Sequence, residues 1–302
     1  MNYESSPIPQ DQTELLPTPK QSLEFDKEKA EVWVEAESDP EIRAIKRKII
    51  DNIQHISFSE FKEKSEGVIS QALQELSESN QKYAVFFDYK PHSSKRWVYE
   101  INKKCYSQYP PTEIRHFTPA WEKMSGNNRL RKIVEGGVNT FLISDDAAYS
   151  GEQIINKQIE PIIKFYEAEN IQQRPKFVLA IPFVTSRFLK LVEEMKAKYG
   201  CEIVLHTNSI MPSLAELLTA DEVKTLNERR NGNLELAETE PTYLGATVTC
   251  FDHRVADDHS FSGEVRKALS LSAEKPYADD STEYFKQEAQ EFEEYKKTVF
   301  PT

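Results

Sequence analysis

The sequence predicts an α/β protein: an open, mainly parallel sheet with helices on both faces, preceded by a helical addition and followed by a C-terminal helix. Three observations carry this. Apolar runs short enough for buried strands recur at residues 83–89, 141–143, 176–185 and 202–206. The last three are separated by segments of ordinary crossover length whose apolar residues recur with helical spacing. Glycine closes two of the helical patterns, with Gly136 and Gly137 ahead of the central strand and Gly200 ahead of the last.

Residues 1–38 read as a flexible tail. The stretch up to Lys20 is polar, carries Pro7, Pro9, Pro17 and Pro19 and has no hydrophobic period, while Val32, Trp33 and Val34 can anchor a short extended piece on the core. Residues 39–80 form the helical addition. Asp39 and Pro40 start a helix whose apolar face runs through Ile42, Ile45, Ile49, Ile50, Ile53 and Ile56. Ser57 or Ser59 caps a second, with Phe61, Val68, Ile69, Ala72, Leu73 and Leu76 inward.

The core is assigned to residues 81–265. Its first strand, YAVFFDY at 83–89, runs into Lys90, Pro91, His92, Ser93, Ser94, Lys95 and Arg96, a cluster of cations and hydroxyls. That cluster is either a solvated loop or an anion site. A short strand is expected at 114–118, then Trp121 as an anchor or a stacking platform, then a short helix through Leu130, Ile133 and Val134. In 176–185, Pro182 marks where pairing stops. Thr185, Ser186 and Arg187 follow, as an N-cap and first turn or as a hydroxyl and guanidinium for a phosphate or base. The helix over 187–199 packs through Phe188, Leu189, Leu191, Val192 and Met195. A charged helix over 213–230, a surface loop over 231–241 and a late strand over 243–251 complete the core. That strand runs into Asp252 and His253, a pair suited to proton transfer, with Asp257 and His259 allowing a metal alternative. Residues 266–302 form a polar segment with Tyr284, Phe285, Phe292 and Tyr295 on one anchoring helical face; such a tail is also one a secretion apparatus can read.

Composition narrows the partners. A net charge of −12 over 302 residues argues against a general nucleic-acid surface, which needs clustered Lys and Arg, but leaves room for a small anion held by a local basic loop. Cys105, Cys201 and Cys250 are far apart and lack C-x-x-C spacing, as expected of buried thiols in a reducing compartment. No stretch approaches the roughly 20 apolar residues of a membrane span, and the start lacks a secretory signal pattern, so a soluble cytoplasmic protein is expected.

The stretch around which the chain is organised is 139–153, NTFLISDDAAYSGEQ: a strand, two adjacent carboxylates, small residues, Ser150 and Gly151, then a helix whose inner face runs through Ile154, Ile155, Ile159, Ile162, Ile163 and Tyr166, kinked at Pro161. At the carboxyl edge of a parallel sheet, such a junction offers free amides to an anion. The carboxylates can instead serve structure alone, accepting backbone amides at a sheet edge or helix cap.

This stretch resembles the phosphoribosyl pyrophosphate (PRPP) loop of type I phosphoribosyltransferases. The resemblance implies that Asp145 and Asp146 hold the ribose hydroxyls and that Ala147, Ala148, Tyr149, Ser150 and Gly151 wrap the 5′-phosphate. It also implies that Ser93, Ser94, Lys95 and Arg96 hold the pyrophosphate, and that Mg²⁺ arrives with PRPP. The chain departs from the family pattern at Ser144, Tyr149 and Gln153, and Glu152 adds a carboxylate beside the phosphate position. The implied activity is transfer of phosphoribose to a nitrogen acceptor with release of pyrophosphate. A non-catalytic nucleotide sensor and an interaction scaffold, including a secreted effector, are the other classes.

Overall fold

The computed structural model describes residues 27–88, 94–117, 124–228 and 247–251. Helix α1 (Lys27–Glu35) buries Ala30 and Val34, one turn apart, in a cluster shared with α2 (Pro40–Asp51). The piece around Val32, Trp33 and Val34 is therefore helical, not an extended part of a tail, because docking offsets the cost of ordering so short a helix. Nearly buried Lys46 ties the two together, with its ammonium 2.9 Å from Glu37 and 4.7 Å from the centre of the Trp33 ring. Asp39 caps α2, accepting from the amides of Glu41 at 2.9 Å and Ile42 at 3.3 Å.

Strand β1 (Gln54–Ile56) leads to α3 (Phe58–Glu78), capped by Ser57, whose Oγ accepts from the Glu60 amide at 3.2 Å. Then come β2 (Tyr83–Asp88), α4 (Ser94–Ile101), α5 (Lys103–Gln108), β3 (Glu113–Phe117), α6 (Met124–Glu135) and β4 (Thr140–Ser144). Gly137, at φ +82°, closes α6: its amide bonds to Val134 O and that of Val138 to Ile133 O. After β5 (Ala147–Ala148), one helical stretch comprises α7 (Glu152–Ile154), a wide π-turn over Ile155–Ile159 and α8 (Glu160–Ala168). Just ahead of Pro161, where a kink is expected, the helix widens into that turn, in which the Glu160 amide reaches back to Ile155 O. The described chain continues through β6 (Lys176–Ala180), β7 (Phe183–Thr185), α9 (Ser186–Tyr199), β8 (Glu202–His206), β9 (Ser209–Met211), α10 (Leu214–Leu217), α11 (Ala220–Glu228) and β10 (Thr249–Phe251).

Five parallel strands form the main sheet in the order β3-β2-β4-β6-β8. Alternate residues separate its two faces. Ala84, Phe86, Phe141, Ile143, Phe177 and Leu179 pack with α6, α8 and α9; Tyr83, Val85, Leu142, Val178 and Ala180 pack with α3, α4 and α5. The α/β architecture with helices on both faces is thus present, and α3 is one of the helices covering the sheet. In sequence order the strands run second, first, third, fourth, fifth. The order reverses between β2 and β4, and in such sheets ligands bind at the carboxyl ends of the strands beside that reversal.

Three main strands restart beyond their carboxyl ends. Ser144, Ala180 and His206 close one transverse row; Ala147, Phe183 and Ser209 open the next, in a parallel sheet ordered β5-β7-β9. This rim rises over β4, β6 and β8, leaving β2 and β3 without an extension among the described residues. Also among the described residues, no helix is long and apolar enough to cross a membrane.

Candidate active site

Asp145 and Asp146 occupy the break between β4 and β5, both buried. Their local role is visible in the backbone. The Asp146 amide donates to Asp145 Oδ1 at 3.0 Å, and the Ala147 amide to Asp146 Oδ1 at 3.0 Å. Where strand pairing lapses, the carboxylates take over two amides that burial would otherwise leave unsatisfied. In the neighbouring break the backbone does this work: the Ile181 amide bonds to His206 O, and those of Asn208 and Ser209 to Pro182 O. Pairing does stop at Pro182, and resumes one residue later.

The remaining oxygen of Asp145 faces a cation. Lys95 Nζ lies 3.9 Å from Asp145 Oδ2, with both side chains about nine-tenths buried. Lys95 is the second residue of α4, which starts on the β2 side of the reversal. The structure therefore brings together one residue expected at the pyrophosphate and one expected at the ribose. Ser94 and Arg96 share that first helical turn, while Ser93 lies outside the described residues.

The stretch expected to wrap a phosphate has two parts. Ala147 and Ala148 are strand residues paired with Phe183 and Val184, whereas Tyr149, Ser150 and Gly151 turn the chain into the helix. Gly151 has φ +74°, and a Cβ there would meet the Phe188 ring at 2.3 and 2.6 Å. Both the conformation and the close approach of α9 thus require glycine. Glu152 and Gln153 are exposed, and Glu152 pairs with Arg187 at 3.4 Å, so its charge points outward and is partly offset.

Thr185 caps α9, accepting from the Phe188 amide at 3.2 Å, and its hydroxyl donates to the Tyr149 carbonyl at 2.6 Å. Of the two sequence readings, the cap is the one seen, and it also ties α9 to the turn before Gly151. Tyr106 of α5 was not anticipated. It is buried with its ring centroid 4.8 Å from that of Tyr99, and its hydroxyl lies 3.3 Å from Ser144 Oγ. Burial pushes its phenol pKa up, against the lowering by Ser144. Ser144, a departure from the family pattern, is thus the buried hydrogen-bond partner of Tyr106. The spacing of Val98, Ile101 and Cys105 is the sequence signal that could have revealed this helical face.

His206 closes β8 at the same transverse level as Ser144. Its Nε2 lies 3.3 Å from Glu75 Oε2 of α3, and burial pushes its pKa down, against the raising effect of Glu75. Among the described residues, no group of three or more His, Cys, Asp or Glu is placed to hold a metal. Asp252, His253, Asp257, His259, Trp121 and the C-terminal segment expected over 266–302 lie outside the described residues. No known protein-family profile, curated protein or solved structure matches the chain.

Proposed function

We propose that the carboxyl edge between β2 and β4 is a phosphoribose-binding site of the type I phosphoribosyltransferase kind, taking PRPP with Mg²⁺ as part of the substrate. The observation that carries the reading is the adjacent pair Asp145 and Asp146, buried at the reversal of strand order, with Lys95 beside Asp145. Vicinal carboxylates suit vicinal hydroxyls, and a nearby cation suits the anionic groups of the same ligand.

In this reading Asp145 and Asp146 orient the ribose, and the turn Tyr149–Ser150–Gly151 with the following helix start receives the 5′-phosphate. Ser93, Ser94, Lys95 and Arg96 receive the pyrophosphate. A nucleophilic nitrogen then attacks C1 of the ribose; the bond from C1 to the pyrophosphate oxygen breaks, and its electron pair leaves with pyrophosphate. Positive charge grows on the sugar and negative charge on the leaving group. The chain's contribution is to orient the sugar from below and to neutralise the leaving oxygens from the α4 side. A non-catalytic sensor would use the same contacts without the attack.

Calorimetry of Mg-PRPP with the wild type and an Asp145→Asn, Asp146→Asn variant tests the reading. Asparagine keeps an Oδ1 acceptor for the two local amides but removes the charge and turns the other oxygen into an N–H donor, so the variant is expected to lose binding, with its fold checked by circular dichroism. No heat from folded wild type, or equal binding by the variant, refutes the site. Product formation with a nitrogen acceptor separates enzyme from sensor.

A further inference from the structure

Strand β8 ends the main sheet, and among the described residues no strand pairs with its outer side. The direction of its backbone follows from one bond. The Ile181 amide donates to His206 O at 3.0 Å, and His206 is the register partner of Ala180, so the backbone groups of His206 face β6. Alternation along the strand turns those of Val204 and Glu202 the same way and points the N–H and C=O of Ile203 and Leu205 outward. Side chains alternate across the sheet as well: Ile203 and Leu205 join the core under α6, α8 and α9, while Glu202, Val204 and His206 lie on the α3 face. Val204 and Leu205, one on each face, are only partly buried, and neither Lys, Pro nor a bulge blunts the run Ile203–Leu205.

We infer that β8 pairs antiparallel with β8 of a second copy of this chain, about a twofold axis through Val204, which joins two main sheets into one. The strand is complementary to itself in that register. A twofold axis perpendicular to the sheet keeps each face on its own side, so only residues of one face can stand opposite one another, and centring on Val204 is the register that uses the whole of Glu202–His206. Ile203 then faces Leu205 of the other copy, and their outward amides and carbonyls exchange two hydrogen bonds, which the symmetry repeats. The Val204 side chains meet on the axis. At each end Glu202 stands opposite His206 of the other copy, a carboxylate facing an imidazole in the closely spaced kind of pair. A strand of unrelated sequence would meet the same backbone groups but not this pairing of ends. Pairing of this kind is independent of what the carboxyl edge binds.

Sedimentation equilibrium of the full chain over roughly 5–500 μM, the range suited to a small interface, should show a mass rising from 34.9 kDa towards twice that value. Amide exchange across the same range locates the contact. The Ile203 and Leu205 amides should slow about threefold or more as the dimer fills, while those of Val204 and His206, which face β6, should change less. Leu205→Pro removes one outward donor without touching the bonds to β6 and should leave the monomer alone in solution. A chain that stays monomeric throughout overturns the inference, as does a dimer in which Ile203 and Leu205 exchange no more slowly, or one that survives in Leu205→Pro. Protection of those two amides at every concentration also overturns it, since the edge would then be covered within one copy. Should Leu205→Pro fail to fold by circular dichroism, the exchange profile of the wild type decides alone.

Discussion

Gly151→Ala concentrates two separable penalties in one methyl group. The backbone at φ +74° lies in the left-handed region, which costs an L-residue about 1–2 kcal/mol. The added Cβ would stand 2.3 Å from Phe188 Cδ2, 2.6 Å from Cε2 and 3.4 Å from Leu191 Cδ2. Phe188 is fully buried in the first turn of α9, so its ring can yield only by moving the helix or its neighbours. Overpacking of this kind costs about 1–3 kcal/mol, giving a total of about 2–5 kcal/mol. That is a large fraction of the roughly 5–15 kcal/mol by which ordinary proteins are stable. Urea unfolding followed by far-ultraviolet circular dichroism should show a lower midpoint with an unchanged slope. Adding Phe188→Leu should recover part of the loss from Gly151→Ala relative to Phe188→Leu alone, because the clash is relieved while the backbone strain stays. A loss below about 1 kcal/mol for Gly151→Ala would refute the packing argument.

Tyr106→Phe removes a buried hydroxyl and leaves Ser144 Oγ without that partner, so urea unfolding should show a loss of about 1–3 kcal/mol, of which the further change Ser144→Ala recovers most. The lowered pKa of His206 means that the unfolded chain binds its proton first as pH falls. Its contribution is full above 6.5 and is lost as pH drops through the lowered folded value; His206→Gln should flatten the fall in thermal midpoint across that window, and Glu75→Gln should steepen it. Asp39→Ala, which removes the acceptor of two amides at the start of α2, should cost about 1 kcal/mol in denaturant unfolding, with Asp39→Asn nearly neutral.

The centre of the main sheet was legible because β4 and β6 are buried on both faces and read as apolar runs, Phe141 to Ile143 being the plainest. Gly137 and Gly200 marked helix ends for the same local reason, a left-handed residue that needs no partner elsewhere. The rim was not legible. Ala147 and Ala148 are too few to show alternation, and they are strand residues only because Phe183 and Val184 lie alongside. Helix α1 was missed likewise, since its two buried residues make no periodic stripe until α2 supplies the other side. At the site, the acidic pair stood out in the sequence. The approach of Lys95 and Tyr106, respectively 50 and 38 residues earlier in the chain than their partners Asp145 and Ser144, is a property of topology that no local pattern encodes.

The aligned breaks between floor and rim amount to a crease running across three strands. Because the rows on either side are each hydrogen-bonded, one rim strand cannot tilt without carrying the other two. The two sheets are linked by direct strand continuation through Asp145–Asp146, Ile181–Pro182 and Thr207–Asn208, and otherwise by the helical returns from β5 to β6 and from β7 to β8. Amide exchange should therefore sort the strands by layer instead of by chain segment, with Ala148, Val184 and Ile210 opening as one unit while Leu142, Val178 and Val204 stay protected. The acidic pair lies on that crease, so a ligand gripping it would stiffen the whole rim at once.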